Sequence, residues 1–288
     1  MLKEWPLVAF TILGQTAVGV FWFFHLPFLV QGRVPLFGWR VTWLVILALV
    51  VLLTGLAAFV SFFHLRHPFR ARFVLSNLRT SWLSREILFE LAFMALVVLA
   101  VWLGWARSPG RGLVWGTLAA AGLTGGLFLA SMMKLYMLPA LPAWRDVHTP
   151  VSFLLTTLVL GDVATEVIVR AVAGPGAFGL DLSRLALAFI GVEILVAVLK
   201  APRHGLLGVR PGPSLRPADG PPRIFHWVRI AGLAAGFVFV AIEVATGGDN
   251  IMNERGATPA LLLAFACVLA GEVAGRFHFY GLVARAGD

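Results

Sequence analysis

Eight continuous apolar runs, each near the length of a membrane-crossing helix, constrain this 288-residue protein more than anything else in it. They fall at Trp5–Val30, Val41–Phe63, Glu86–Ala106, Leu113–Lys134, Pro150–Val172, Leu182–Leu199, Phe225–Thr246 and Pro259–Leu282. Hydrophobic residues make up 59% of the sequence and charged ones only 13%, about half the charged share of an average soluble domain. The runs do not alternate in a two-residue rhythm, which excludes a membrane β-barrel. The expected fold is therefore all-α and integral to the membrane, with eight transmembrane helices arranged as two four-helix bundles. Residues 1–288 read as one polytopic membrane domain, because no stretch has the composition of an independent soluble unit. The opening MLKEWPLVAF lacks the tripartite plan of a removed signal, so the first run is expected to stay as a helix.

The net charge of +9 is carried by short connections beside apolar runs, a pattern set by topology and acidic headgroups rather than by nucleic acid. An even number of spans brings both termini to one side, together with the connections after the second, fourth and sixth helices. That side carries twice as many connection Lys and Arg residues as the other, so the termini and the 64–86 connection are expected in the cytoplasm, in a cytoplasmic (inner) membrane. Cys267 is the lone cysteine, which excludes a disulfide framework and an iron–sulfur cluster held by this protein alone. Four histidines inside helices, His25, His148, His226 and His278, leave a haem pair open by arithmetic, but no spacing favours one.

The connection between the second and third runs, HLRHPFRARFVLSNLRTSWLSREI from residue 64, is too basic and too long for a simple turn. It gathers His64, His67, Arg66, Arg70, Arg72, Arg79 and Arg85 with hydroxyl and amide groups, and it leads into Glu86 and Glu90. Such a surface suits a protein partner and proton handling. The two acids lie four apart on one helix face, where like charges repel, so one is expected to hold a proton near neutral pH. The bland alternative is that Glu86 merely caps its helix, with Ser84 beside it. His64 can serve as a quinone hydrogen-bond partner that also passes a proton, or as an ordinary interfacial histidine. Inside the bilayer, where ionisable groups are costly, Glu166 with Arg170 and Glu272 with Arg276 have the i,i+4 spacing of ion pairs, and Asp162 precedes Glu166 by one turn. Spacing does not order these acids, Glu193 and Glu243 into a proton path.

The same connection resembles the membrane-anchor subunit family of dimethyl sulfoxide reductase (DmsC). The resemblance rests on His64 and Leu65, Pro68, Arg70 and Ala71, Leu75, Asn77, Ser81, Leu83 and Ser84, and Glu86 and Ile87. EWPLVAFTILGQ (4–15) looks like the opening of that family, and GEVAGRFHFYG (271–281) like its last helix. Tyr136, Pro142, Trp144, Thr149 and Pro150 add a weaker match between them. The resemblance implies an eight-helix anchor without haem or an iron–sulfur cluster of its own. It would hold a four-cluster iron–sulfur subunit and a molybdopterin catalytic subunit on the bilayer and exchange electrons with the quinone pool, menaquinone or ubiquinone. It also places quinone binding or proton relay on His64 and Glu86, with Ser81 and Glu90 beside them, and partner docking on Arg66, Arg70, Arg72 and Arg79. The cytoplasmic charge bias suits a relative like the anchors of membrane-bound sulfite dehydrogenases. The alternatives are a purely structural anchor and a proton-coupled transporter.

Overall fold

A computed structural model describes residues 4–31, 33, 35, 39–64, 75–106, 110–137, 144–174, 181–200, 223–246 and 258–281. Eight α-helices carry the fold: α1 (Trp5–Val30), α2 (Arg40–Ser61), α3 (Trp82–Trp105), α4 (Arg111–Tyr136), α5 (His148–Ala173), α6 (Leu182–Lys200), α7 (Arg223–Thr246) and α8 (Pro259–Gly281). All eight are long and apolar enough to cross a bilayer, and no strand occurs among the described residues. This is the multi-pass membrane protein that the hydropathy pattern predicts.

The helices form two four-membered groups with the same order of neighbours. In the first, α1 packs on α2, α2 on α3, α3 on α4 and α4 back on α1; α5, α6, α7 and α8 repeat that circuit. The halves meet along α1 and α5, and each central helix also touches the other half's last helix, α1 on α8 and α5 on α4. Accordingly 72% of the apolar stretch of α1 and of α5 is buried, against 22–44% in the other six. The outer helices turn residues such as Leu52, Phe59, Trp102, Leu123 and Leu195 outward, where lipid would cover them.

Close approach at the seam depends on two glycines. A Cβ on Gly19 would lie 2.8 Å from the Gly161 Cα and would also meet the Thr157 carbonyl, so only the smallest residue lets the two backbones touch. Gln15 Nε2 adds a hydrogen bond to the Phe153 carbonyl at 2.7 Å. In the second bundle α7 and α8 meet in the same way, a Cβ on Gly232 falling 2.7 Å from the Cys267 carbonyl.

Helix α3 begins at Trp82, four residues before the start expected from hydropathy. Ser81 caps it, accepting a hydrogen bond from the Ser84 amide at 3.2 Å. Arg85 then folds back, donating to the Leu78 and Arg79 carbonyls at 2.8 and 2.6 Å and covering the Trp82 ring at 4.3 Å. Ser81 and Arg85 read as loop in the sequence because their side chains serve the cap and the fold-back. Glu86 is consequently not a cap: it sits in the second turn, inside the bundle.

Candidate functional site

The beginnings of the odd-numbered helices and the ends of the even-numbered ones share one face of the molecule, here the near face. Most of the buried polar side chains of both bundles gather there. In the first bundle the centre is Glu86 and Glu90 of α3, 1% and 4% exposed. The Oε1 atom of each has no hydrogen-bond partner, and no cation among the described residues pairs with either acid. Both ring hydroxyls of Tyr136 and Tyr280 lie within electrostatic reach of Glu86. Tyr280 donates to the Tyr136 hydroxyl at 2.9 Å, joining the last turns of α4 and α8. Around this pair Trp144, Phe153 and Phe279 make an aromatic cover, with Trp144 stacked on Phe279 at 5.2 Å and its Nε1 donating to the Phe279 carbonyl at 2.9 Å.

His64 closes a 3-10 turn, Phe62–His64, that ends α2 on this same face; its side chain lies outside the described part of the structure. His64 and Glu86 thus come from neighbouring helix ends. Arg66, Arg70 and Arg72 fall outside the described residues. Arg79 is described and exposed, in the loop that Arg85 holds. Ser81 is engaged as the α3 cap.

The second bundle handles its charges differently. Arg229 of α7 donates to Glu193 of α6 at 2.6 Å and to Ser152 of α5 at 3.0 Å, and it approaches Glu272 of α8 at 3.4 Å. Gly275 leaves the space for it, since a Cβ there would lie 2.6 Å from the Arg229 Cδ. Glu272 receives the Thr156 hydroxyl at 2.6 Å. Arg276 turns to Gln15 at 2.8 Å and to Thr156 at 3.2 Å, and it stacks over the Phe153 ring at 3.5 Å. Thr156 therefore stands between Glu272 and Arg276, and the acid's cation is Arg229 of the next helix. A small cavity of about 20 Å³, room for about one water, opens among Ser152, His226, Arg229, Glu272, Arg276 and His278, with Ala197 and Phe279 as apolar wall.

On the opposite, far face, Arg170 pairs with Glu166 one turn earlier at 2.7 Å, as the spacing predicts, and reaches Glu243 of α7 at 2.5 Å. Ser183 donates to Glu166 at 2.5 Å, and Thr258 donates to Glu243. His25 is committed elsewhere: Trp43 Nε1, a donor only, gives to its Nε2 at 2.9 Å, so Nδ1 carries the proton that reaches the Phe21 carbonyl at 2.8 Å.

Arg229, Gln15 and Thr156 are not evident as site residues in the sequence. The partners of Arg229 come from other helices, so no local spacing reveals it. Its signal is its cost: an arginine at membrane depth needs carboxylates, and Glu193 and Glu272 are acids at the same depth.

Comparison with known proteins agrees with the fold. The family model for the DMSO reductase anchor subunit (DmsC) matches residues 1–282. The protein belongs to this family. Among relatives, the C subunit of anaerobic dimethyl sulfoxide reductase of Escherichia coli is 29% identical over 97% of this sequence and 94% of its own. The YnfH subunit of the same organism, also of an anaerobic dimethyl sulfoxide reductase, is 29% identical with the same coverage. The corresponding C subunit of Haemophilus influenzae is 32% identical over 56% of each sequence. No solved structure matches. Within this anchor-subunit family, the last-helix segment that carries the resemblance has a structural part to play here. Its Glu272, Arg276 and Tyr280 bind α8 to α1, α4, α5 and α7.

Proposed function

We propose that this protein is the quinone-reactive membrane anchor of a molybdenum oxidoreductase complex of the dimethyl sulfoxide reductase type. The observation that carries the reading is Glu86: a buried acid with an unpartnered oxygen, one turn inside the near face and beside the helix end that bears His64. A quinone is an apolar ring with two oxygens, each needing a hydrogen-bond partner and a proton during turnover. Glu86 is placed to give or take that proton, with Glu90 one turn deeper as a second acceptor, and His64 is the second group to hold an oxygen. The aromatic cover of Tyr136, Trp144 and Phe279 supplies flat apolar wall on the same face. Electrons would leave or arrive through an iron–sulfur subunit docked on the near face, with the basic connection, Arg66, Arg70, Arg72 and Arg79, meeting acidic groups on that partner. The charge bias supports a near face in the cytoplasm and so a cytoplasm-facing complex, of which a sulfite dehydrogenase is the candidate type.

The test is purification of the protein with its partners from native membrane, followed by two turnover assays, one with a quinone and one with a soluble redox dye that bypasses it. His64→Leu and Glu86→Gln should each abolish quinone-linked turnover while the dye-linked rate and subunit stoichiometry stay unchanged. Normal quinone-linked turnover in both variants would leave only a structural anchor.

A further inference from the structure

The acid that neither the quinone reading nor the ion pairs use is Asp162. It lies near the middle of α5, about 21 Å along the helix from His148, and is fully buried. Both of its carboxyl oxygens lack a hydrogen-bond partner, whereas Glu166, Glu193, Glu243 and Glu272 each contact an arginine. An acid that makes no bond between helices contributes nothing to holding them, yet its burial in a bilayer is costly, and such residues mark ion and proton pathways. Asp162 also stands between two polar clusters on one helix. Towards the near face, Thr156 carries Glu272, about 9 Å of helix rise away; towards the far face, Glu166 is about 6 Å away. From Ser152, on the water-sized cavity, to Arg170 the rise is about 27 Å, close to the thickness of a hydrocarbon core.

We infer that the second bundle carries a proton-transfer route across the membrane, with Asp162 as its central relay. Protons enter at the cavity bordered by His226 and His278, whose rings lie 5.5 Å apart, and reach the Glu272 carboxyl. Glu272 hands its proton to the Asp162 carboxylate, Asp162 to Glu166, and Glu166 to water at the far face, each donor returning to its ionised form; only O–H bonds break and form, and no electron moves. Arg229 and Arg170 stay charged and hold Glu272 and Glu166 in place at either end. The longer step exceeds a hydrogen bond, so it proceeds only when water is admitted beside Asp162. The closed packing around Asp162 makes the route slow at rest, and quinone turnover on the near face would speed it. The coupling rests on the quinone reading, while the route itself does not.

The complex, reconstituted in vesicles with a trapped pH dye and made permeable to potassium, is driven by a quinone and a soluble redox dye. Wild type should move protons across the membrane beyond those bound or released by the quinone on its own side. Asp162→Asn should lose that excess with the electron-transfer rate unchanged, and Asp162→Glu should restore it. Equal proton yield in Asp162→Asn and wild type overturns the route, as does a wild-type yield that quinone chemistry alone explains. A complex inert to quinone defeats the quinone reading instead. The route is then read from proton flux under an imposed potassium diffusion potential, where equal fluxes in wild type and Asp162→Asn overturn it.

Discussion

The two bundles share a circuit of helix neighbours and, at the near face, treat buried charge in opposite ways. In the first, α3 carries Glu86 and Glu90 with no cation among the described residues to meet them. In the second, at the same depth, Glu193 and Glu272 are matched by Arg229, and Arg276 is held by an amide, a hydroxyl and an aromatic ring. A matched network fixes four helices in one arrangement, because each group is costly without its partners. An unmatched acid pair braces nothing and keeps one oxygen of each acid free to bind. At this face the same scaffold thus yields a braced half and a reactive half, and the seam at Gly19 and Gly161 holds one against the other.

The contrast can be broken most sharply at Arg229. Arg229→Met keeps much of the volume and removes the charge, leaving Glu193 and Glu272 buried without a cation. Removal of one partner from a buried pair costs about 3–5 kcal/mol, so unfolding in detergent should shift by that order. A variant as stable as wild type would show that the second bundle does not depend on its charge matching.

A smaller effect, but a more direct comparison, comes from neutralising one acid in each half. Glu272→Gln removes the charge facing Arg229 and weakens the Thr156 hydrogen bond, at a cost of about 1–3 kcal/mol. Glu86→Gln removes a charge that no described cation meets, so its stability should equal or exceed that of wild type. Thermal unfolding of the two variants side by side decides the matter: the reverse order would mean that Glu86 is the structural acid and Glu272 the free one.

Much of this is legible in the sequence, and the reason it stops where it does is geometric. Eight helices follow from eight apolar runs, because the bilayer's thickness sets the length of each. Glu166 with Arg170 is readable because both ends of that pair lie on one helix, one turn apart. Glu272 with Arg276 has the same spacing, yet Thr156 comes between them and Arg229 takes the acid, since α7 approaches α8 so closely at Gly275. Contacts between helices leave no periodic trace in one sequence. The start of α3 is hidden for a related reason: Ser81 and Arg85 look like loop residues until the cap and the fold-back that use them are seen.

The finest probe of the contrast is a hydrogen bond that joins the last helices of the two halves. Tyr280 donates to the Tyr136 hydroxyl at 2.9 Å, and the Thr11 hydroxyl lies farther off at 3.5 Å. A phenol has one proton to give, so Tyr136 is its main recipient. Tyr136→Phe removes the acceptor and Tyr280→Phe the donor, each without changing ring packing. Side-chain hydrogen bonds between membrane helices average about 0.6 kcal/mol, and each single variant should lose about that much. If the bond is what the two residues share, the double variant should lose no more than either single one, and the cycle should return a coupling of the same size. Full additivity would mean that the tyrosines act separately, and that the halves are held at this face by the aromatic cover and the hydrogen bonds of Gln15. The same variants bear on the site, because both hydroxyls lie within electrostatic reach of Glu86: loss of quinone-linked turnover in Tyr136→Phe with the small stability change would make the link between the halves part of the reactive one.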